Sequence, residues 1–337
     1  MVAFFLLLFS FTLISCEEPI VNENTFTVMD WNVQALMDDK VDGSEFEDFN
    51  LDEYSEESYR RRLKNACDVI DDINADVVIL EEIENSNVLK DMMDLYLSRK
   101  GYIYYGAVKE EDSAIAIGFI SKIEAKNIRV HSVLDSRNVL ALDFDVNNEK
   151  LRIFACHGKS QIEGFEATEK YRINLSTTLK RLINESPDFN VICVGDFNED
   201  PLIYTTFQTA LYNVEKENAF YFRDKGSLLL SPTQYGVFQD ILYSPQLDFE
   251  IKKQKKGTYV YNNDWFNFDL ILINNRFFDL LGLEFSSFHI YAPQKISTSE
   301  GIPYAWNEKS LTGISDHFPI YVTLKYFITN EHDFISH

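Results

Sequence analysis

The chain has 337 residues, 45% of them hydrophobic, with 31 Lys and Arg against 54 Asp and Glu, a formal net charge of −23. Size and apolar content suit a globular protein with a full core. The acidity argues against a protein that wraps DNA. It leaves open an enzyme with an acidic metal site, because a bound cation and local Lys or Arg reverse the field at a cleft.

Residues 1–16 form an apolar run too short for a stable membrane anchor and shaped like a signal-peptide core. Leu13-Ile14-Ser15-Cys16 resembles a bacterial lipobox, although no Lys or Arg precedes the run. The expectation is an exported lipoprotein, attached to the bacterial cell envelope through acylated Cys16, or else a secreted protein. Residues 17–25 then read as a tether, 26–327 as one domain and 328–337 as a tail. The remaining Cys67, Cys156 and Cys193 lack the spacing of a disulfide framework or zinc site and read as small buried apolar residues.

In chain order, 26–33 reads as a strand and 34–58 as a long acidic loop, functional or mobile by its length. Its acids are a candidate site for Ca²⁺ as a second ion, although a solvated surface is the ordinary reading. An amphipathic helix is predicted over 59–74, a buried strand over 76–81, and a second helix over 87–99 that ends at Gly101. Short strands follow over 102–108, 113–120, 126–133, 139–146 and 151–157, with a hairpin turn at 146–150. The longest helical pattern is 166–185. A buried strand covers 190–196, 201–212 reads as helical, and 213–264 is irregular. Core strands close the chain at 266–273 and 318–327. This order is not a regular alternation of strands and helices. It suits two mixed sheets packed face to face with helices outside, polar residues at strand ends converging along one rim.

Polar strings at those strand ends carry the chemistry: Asp30-Trp31-Asn32-Val33, Leu80-Glu81-Glu82-Ile83, Cys156-His157-Gly158-Lys159-Ser160, Gly195-Asp196-Phe197-Asn198, Phe268-Asp269-Leu270-Ile271 and Ser315-Asp316-His317-Phe318. Together they hold what is needed to bind a hard divalent cation and cleave a phosphate ester. Glu82, after an apolar run, is the expected principal Mg²⁺ ligand, with Glu81 its competitor. Asn32 reads as a contact to phosphate or metal-bound water, or as a turn former. Asp196 and Asn198 share one face of an extended chain and suit orientation of water and phosphate, or an Asx turn. Asp269, a charge inside a core strand, demands a partner, and His317 is the one expected. Asp316 then joins Glu82 at the metal. His157 is the second imidazole, and Lys159 the preferred phosphate-binding cation. Arg60, Arg61, Arg62, Lys64, Arg137, Arg172 and the Lys252–Lys256 run read mostly as solvated surface charge.

With these strings in place, the chain resembles the endonuclease/exonuclease/phosphatase superfamily of DNase I-like proteins over about residues 26–326, most closely its secreted bacterial nucleases. Asp76-Val-Val-Ile-Leu-Glu-Glu-Ile-Glu-Asn85, His157-Gly-Lys-Ser160 and Gly257-Thr-Tyr-Val-Tyr261 ahead of Trp265 carry that likeness. The resemblance implies a four-layered α/β/β/α sandwich and dependence on Mg²⁺ or Mn²⁺. It implies Asn32 and Glu82 at metal and phosphate and His157 toward the leaving group. It places Asp196 and Asn198 on the attacking water, His317 as base with Asp269, and Asp316 on the metal side. Glu81 and Gln34 depart from the family pattern, as does Gly158. An acid that steadies the first His in related nucleases corresponds to Glu111 or Asp112.

The leading expectation is an exported, metal-dependent nuclease, monomeric, acting on DNA more than RNA. A phosphodiesterase or phosphatase for a lipid headgroup or small phosphate ester would share the same core. A binding module without catalysis would need a broken constellation, and this one is intact.

Overall fold

A computed structural model describes residues 22–328 apart from 42, 44, 47–53, 205–227, 238–240 and 249–256. The expectations at Cys16, residues 17–21 of the tether, residues 329–337 of the tail, the Lys252–Lys256 run and much of 201–212 lie outside the described residues, whereas 22–25 and 328, read as tether and tail, belong to paired strands.

Apolar runs, several of them buried on both faces, build two sheets. In the first, β1 (Asn22–Leu36) is central. It pairs parallel with β2 (Val77–Ile83) and antiparallel with β15 (Ile320–Ile328). β4 (Ala116–Ser121) and β3 (Tyr104–Lys109) extend the sheet beyond β2, and β14 (Glu284–Ile290) extends it beyond β15. In the second, β5 (Asn127–Val133), β6 (Ser136–Val146) and β7 (Glu149–His157) form an antiparallel meander. β7 runs parallel to β8 (Asn190–Asp196), which pairs antiparallel with β13 (Asp269–Ile273). The short strands β10 (Leu242–Tyr243) and β9 (Leu230–Ser231) complete it. Asn147 and Asn148, both at positive φ, turn β6 into β7, as a two-residue hairpin of this twist requires.

Three apolar layers separate four structural ones. Val28, Val77, Ile79 and Phe119 of the first sheet meet Leu142, Ile153, Val194 and Ile271 of the second. Outside the first sheet, Met29, Trp31, Val78 and Leu80 pack on α1 (Glu56–Ile73) and α2 (Ser86–Met92). Outside the second, Ala141, Phe154, Val191 and Cys193 pack on α3 (Phe165–Asn184). The fold is the expected four-layered α/β/β/α sandwich.

Some boundaries differ from the reading of the sequence. The second helix stops at Met92, widens into a π turn (Met93–Leu97) and then tightens into a 3₁₀ turn (Ser98–Lys100) before Gly101. Residues 266–273 are not one strand: a separate hairpin of β11 (Tyr259–Tyr261) and β12 (Asp264–Phe266) precedes β13. β14 lies in a stretch not expected to be a strand. The three described cysteines are free and buried, as read.

Candidate active site

Side-chain parity along three adjacent strands assembles one wall of the site. Ile153 and Ala155 on β7, Ile192 and Val194 on β8, and Ile271 and Ile273 on β13 face the inter-sheet core. The period of two therefore aims His157, Asp196 and Asp269 the same way. Register aligns them: His157 pairs with Asp196, and Asp269 pairs with Asp196 from the other side. Backbones lie unusually close here. A Cβ on Gly195 would sit 1.9 Å from Cys156 O, and one on Gly158 would sit 2.2 Å from Phe197 O. Glycine is required at both by contact alone.

The first sheet supplies the facing wall. Val28, Asp30 and Asn32 share the inward face of β1; Ile79 and Glu81 share that of β2. Strict alternation would turn Glu82 outward. Instead a bulge interrupts the pairing between Glu81 and Ile83, and Glu82 takes φ +62°. A positive φ at a residue with a side chain is a strained conformation found preferentially at functional sites. Here it directs the carboxylate to Asn32 Nδ2, which donates to Glu82 Oε1 at 3.1 Å, and to Ala35 N, which donates to Oε2 at 2.8 Å.

Asn32 joins the two walls. Its Nδ2 also donates to Asp196 Oδ2 at 3.1 Å, while its Oδ1 accepts from Gln34 N. The amide nitrogen, rather than the oxygen expected of a metal ligand, thus faces the acids. Asn198 Nδ2 donates to the same Asp196 Oδ2 at 3.0 Å and Asn198 N to Oδ1 at 2.8 Å. The Asx turn and the convergence of acid and amide occur together.

His317 Nδ1 lies 2.9 Å from Asp269 Oδ2, the pairing read from the sequence. Trp31 Nε1 donates to His317 O, His317 N to Ser315 Oγ, and Ser315 Oγ to Asn32 O. Ligand atoms of Asp196, Asp269 and His317 fall within 4.8 Å of one another. His157 Nε2 lies 3.8 Å from Glu82 Oε1 and 3.7 Å from Asp196 Oδ2. These are the acids nearest it among the described residues, rather than Glu111 or Asp112. Asp316 is half-buried at the mouth. Lys159 is not brought into this cluster. Its Nζ pairs with Glu163 at 2.7 Å, and it lines an adjacent cavity of about 530 Å³ with Arg137 and Ser136.

Burial and mutual repulsion set the charge. Burial pushes the Asp196 carboxyl up to about 7, with Asp269 and Glu82 adding to it and His317 opposing. Burial, Arg137 and His317 hold the His157 imidazole well below its ordinary pKa, so it is neutral. Burial opposes charge on His317 too, but the Asp269 carboxylate outweighs it and raises that pKa well above the usual value. Asp30 and Glu81 lie fully buried beneath. Their four carboxylate oxygens lack partners in the ionised form. Burial raises the Asp30 pKa well above the usual carboxylate range and pushes Glu81 up to about 8, so the pair shares protons. Glu81 therefore sits inside the core, and Glu82 is the acid at the rim.

Several residues outside the expected set hold the site together. Arg62 is buried, not solvated. Its Nη1 donates to Ala35 O and its Nη2 to Val33 O, and it also bonds Gln34 O, gathering the end of β1 that grips Glu82. Arg172 is also buried. It pairs with Glu199 at 3.2 Å and donates to Lys159 O. Arg137 Nη1 donates to Gly158 O. A Lys or Arg in a helical pattern gives no sign that its head is internal. By contrast, Arg60, Arg61 and Lys64 make exposed pairs one turn apart, as expected.

The model of the endonuclease/exonuclease/phosphatase family matches residues 27–229. No curated protein sequence matches significantly. Among solved structures, TDP2 of D. rerio complexed with a single-strand DNA product is 16% identical. It has a TM-score of 0.55, covering 89% of this chain and 98% of that one. The human Nocturnin catalytic domain is 14% identical, with TM-score 0.53 and coverage of 92% and 97%. A mannosyl-6-phosphatase of Bacteroides thetaiotaomicron is 14% identical, with TM-score 0.52 and coverage of 89% and 99%. At such identities the likeness concerns the fold.

Proposed function

The chain belongs to the endonuclease/exonuclease/phosphatase family, whose members hydrolyse phosphate esters, and we propose from this premise that it is an exported, divalent-metal-dependent phosphodiesterase acting on DNA. The observation that carries the reading is the convergence on one rim of Asp196 with two amide donors, of His157, and of the His317–Asp269 pair. The DNA product bound to the D. rerio protein supports a nucleic-acid substrate. The phosphatase among the similar structures supports, as the second reading, a small phosphate ester.

A cation suits the donor set. Glu82, Asp196 and Asp269 crowd together with Asp316 nearby, and burial, with repulsion from Asp269 and Glu82 added, holds the Asp196 carboxyl above its usual range. Glu82 and Asp316 would hold Mg²⁺ or Mn²⁺, which when bound would supply charge neutralisation and polarise a phosphoryl oxygen. Asn32 orders Glu82 and Asp196 through its amide. Asp196 and Asn198 orient the attacking water and the phosphate. Neutral His157 can accept a proton, and His317, fixed through Nδ1 by Asp269, has its Nε2 left for proton transfer at the scissile ester. Arg137 and Lys159, beside the cavity, suit flanking phosphates. The domain runs at least from β1 to β15, residues 22–328, carried outside the cytoplasm by residues 1–16 and attached through acylated Cys16.

The test is Mg²⁺-dependent hydrolysis of plasmid DNA, RNA, sphingomyelin and bis-p-nitrophenyl phosphate side by side, with His157→Ala as control. DNA cleavage abolished by EDTA and by the substitution supports the reading. Activity confined to sphingomyelin or the small ester selects the second reading.

A further inference from the structure

The motif Gly257-Thr-Tyr-Val-Tyr261 with Trp265 takes no part in the chemistry above, yet it is fastened to the site. It forms the β11–β12 hairpin, which joins neither large sheet and is turned by Asn262 and Asn263, both at positive φ. Thr258 N donates to Phe266 O and Phe318 N donates to Thr258 O, each at 2.9 Å. Tyr259 forms an isolated antiparallel bridge with His317. Trp265 stacks against Phe318 with centroids 6.3 Å apart and planes 20° apart. A Cβ on Gly257 would lie 2.4 Å from Phe266 O, so the hairpin closes with no slack there.

These fastenings place one ring. Tyr259 stacks on the His317 imidazole at 4.6 Å with a 26° interplanar angle, and also on Phe268 at 5.7 Å and 25°. Phe268 precedes Asp269, the acid that grips His317. His317 is therefore held in two directions, by Asp269 at its Nδ1 edge and by Tyr259 on its face. The hydrogen bond alone leaves the imidazole free to tilt about Nδ1, and a tilt displaces the catalytic nitrogen across the ring. A displacement of about 1 Å from the productive position costs about 10²-fold in rate.

We propose that Tyr259 is a positioning residue whose ring, rather than its hydroxyl, fixes the orientation of the His317 imidazole. The kinetic consequence rests on the hydrolytic reading of the site; the contact does not. The first readout is accordingly a ring-labelled histidine NMR spectrum of the whole protein without substrate. His317 ring protons should be shifted upfield by the Tyr259 ring and show cross-relaxation to it. The upfield shift should persist in Tyr259→Phe and collapse in Tyr259→Leu. Absence of that cross-relaxation in the unsubstituted protein overturns the proposal even if Tyr259→Leu fails to fold.

The second readout is steady-state hydrolysis of bis-p-nitrophenyl phosphate with Mg²⁺. Tyr259→Leu should lower kcat about 10²-fold with KM within about threefold, and Tyr259→Phe should retain kcat within about threefold. A loss in Tyr259→Phe equal to that in Tyr259→Leu would assign the hydroxyl instead and overturn the proposal. So would a Tyr259→Leu protein with raised KM and intact kcat. If the unsubstituted protein hydrolyses nothing, the functional reading fails, while the NMR result still decides the contact.

Discussion

His317 Nδ1 sits 2.9 Å from Asp269 Oδ2 and 3.1 Å from Oδ1, with both residues buried and Asp269 directly opposite Asp196 on the neighbouring strand. A carboxylate in that place fixes which ring nitrogen carries the proton and so which one meets substrate. Asp269→Asn removes the charge while nearly preserving shape. Steady-state kinetics on bis-p-nitrophenyl phosphate should show kcat lower by about 10² to 10⁴, with little change in KM. A mainly higher KM would instead assign Asp269 to substrate binding.

The buried Asp30–Glu81 pair makes stability depend on pH in a definite sense. Burial pushes Glu81 from 4.5 to about 8, so between those values the folded protein holds a proton that the unfolded chain has released. Stability from this group is full below the unfolded pKa and is lost as pH rises through the folded one. Glu81→Gln keeps the shape, and its amide can donate to Asp30. Thermal unfolding in EDTA should show the variant more stable than the unsubstituted protein above about pH 8, with a flatter profile between about pH 5 and 8. Equal profiles would contradict the shared-proton account.

Arg62 supports the site from behind. Its guanidinium satisfies carbonyls of residues 33–35, and Ala35 N in turn holds Glu82 Oε2. Arg62→Leu takes its donors from those carbonyls, of which the one at Val33 belongs to a buried residue and those at Gln34 and Ala35 to half-buried ones. Urea unfolding should register a loss of about 3 kcal/mol, and calorimetry a weaker affinity for Mg²⁺. The salt bridges of Arg60 and Arg61, exposed on the same helix, should contribute little by comparison.

Metal binding should also be visible as stability. An ion that binds only the folded chain raises the melting temperature by mass action. Titration with Mn²⁺ should raise it for the unsubstituted protein. Glu82→Gln should need at least about 10 to 100 times more Mn²⁺ for the same rise, the loss seen when a residue that only supports a metal ligand is changed. Unaltered Mn²⁺ dependence in that variant would move the ligand role elsewhere.

Much of this was legible because continuous apolar runs mark strands buried on both faces. His157 and Asp196 each end such a run and Asp269 begins one, so the period of two along each strand relates the polar residue at the rim to its apolar neighbours two and four positions away. Parity fails where the backbone departs from it. Glu82 reaches the cleft only through a bulge and a positive φ, which no alternation reveals. Glu284–Ile290 was missed because Ser286 and Ser287 and a bulge after Phe285 break its pattern. Residues 266–273 read as one strand because Phe266 and Phe268 continue the alternation across a real break. Burial of Arg62 and Arg172 depends on carbonyls and acids brought from distant elements, and local composition carries no trace of those partners.

The central claim is metal-dependent cleavage of a phosphodiester at the rim shared by Asp196, His157 and His317. Its most direct test is the rate of bis-p-nitrophenyl phosphate hydrolysis with Mg²⁺, with EDTA, and in His317→Ala at saturating Mg²⁺. The account predicts turnover with Mg²⁺, none above background with EDTA, and a kcat lower by about 10² or more in the variant. Turnover that survives EDTA, or that His317→Ala leaves intact, would contradict it.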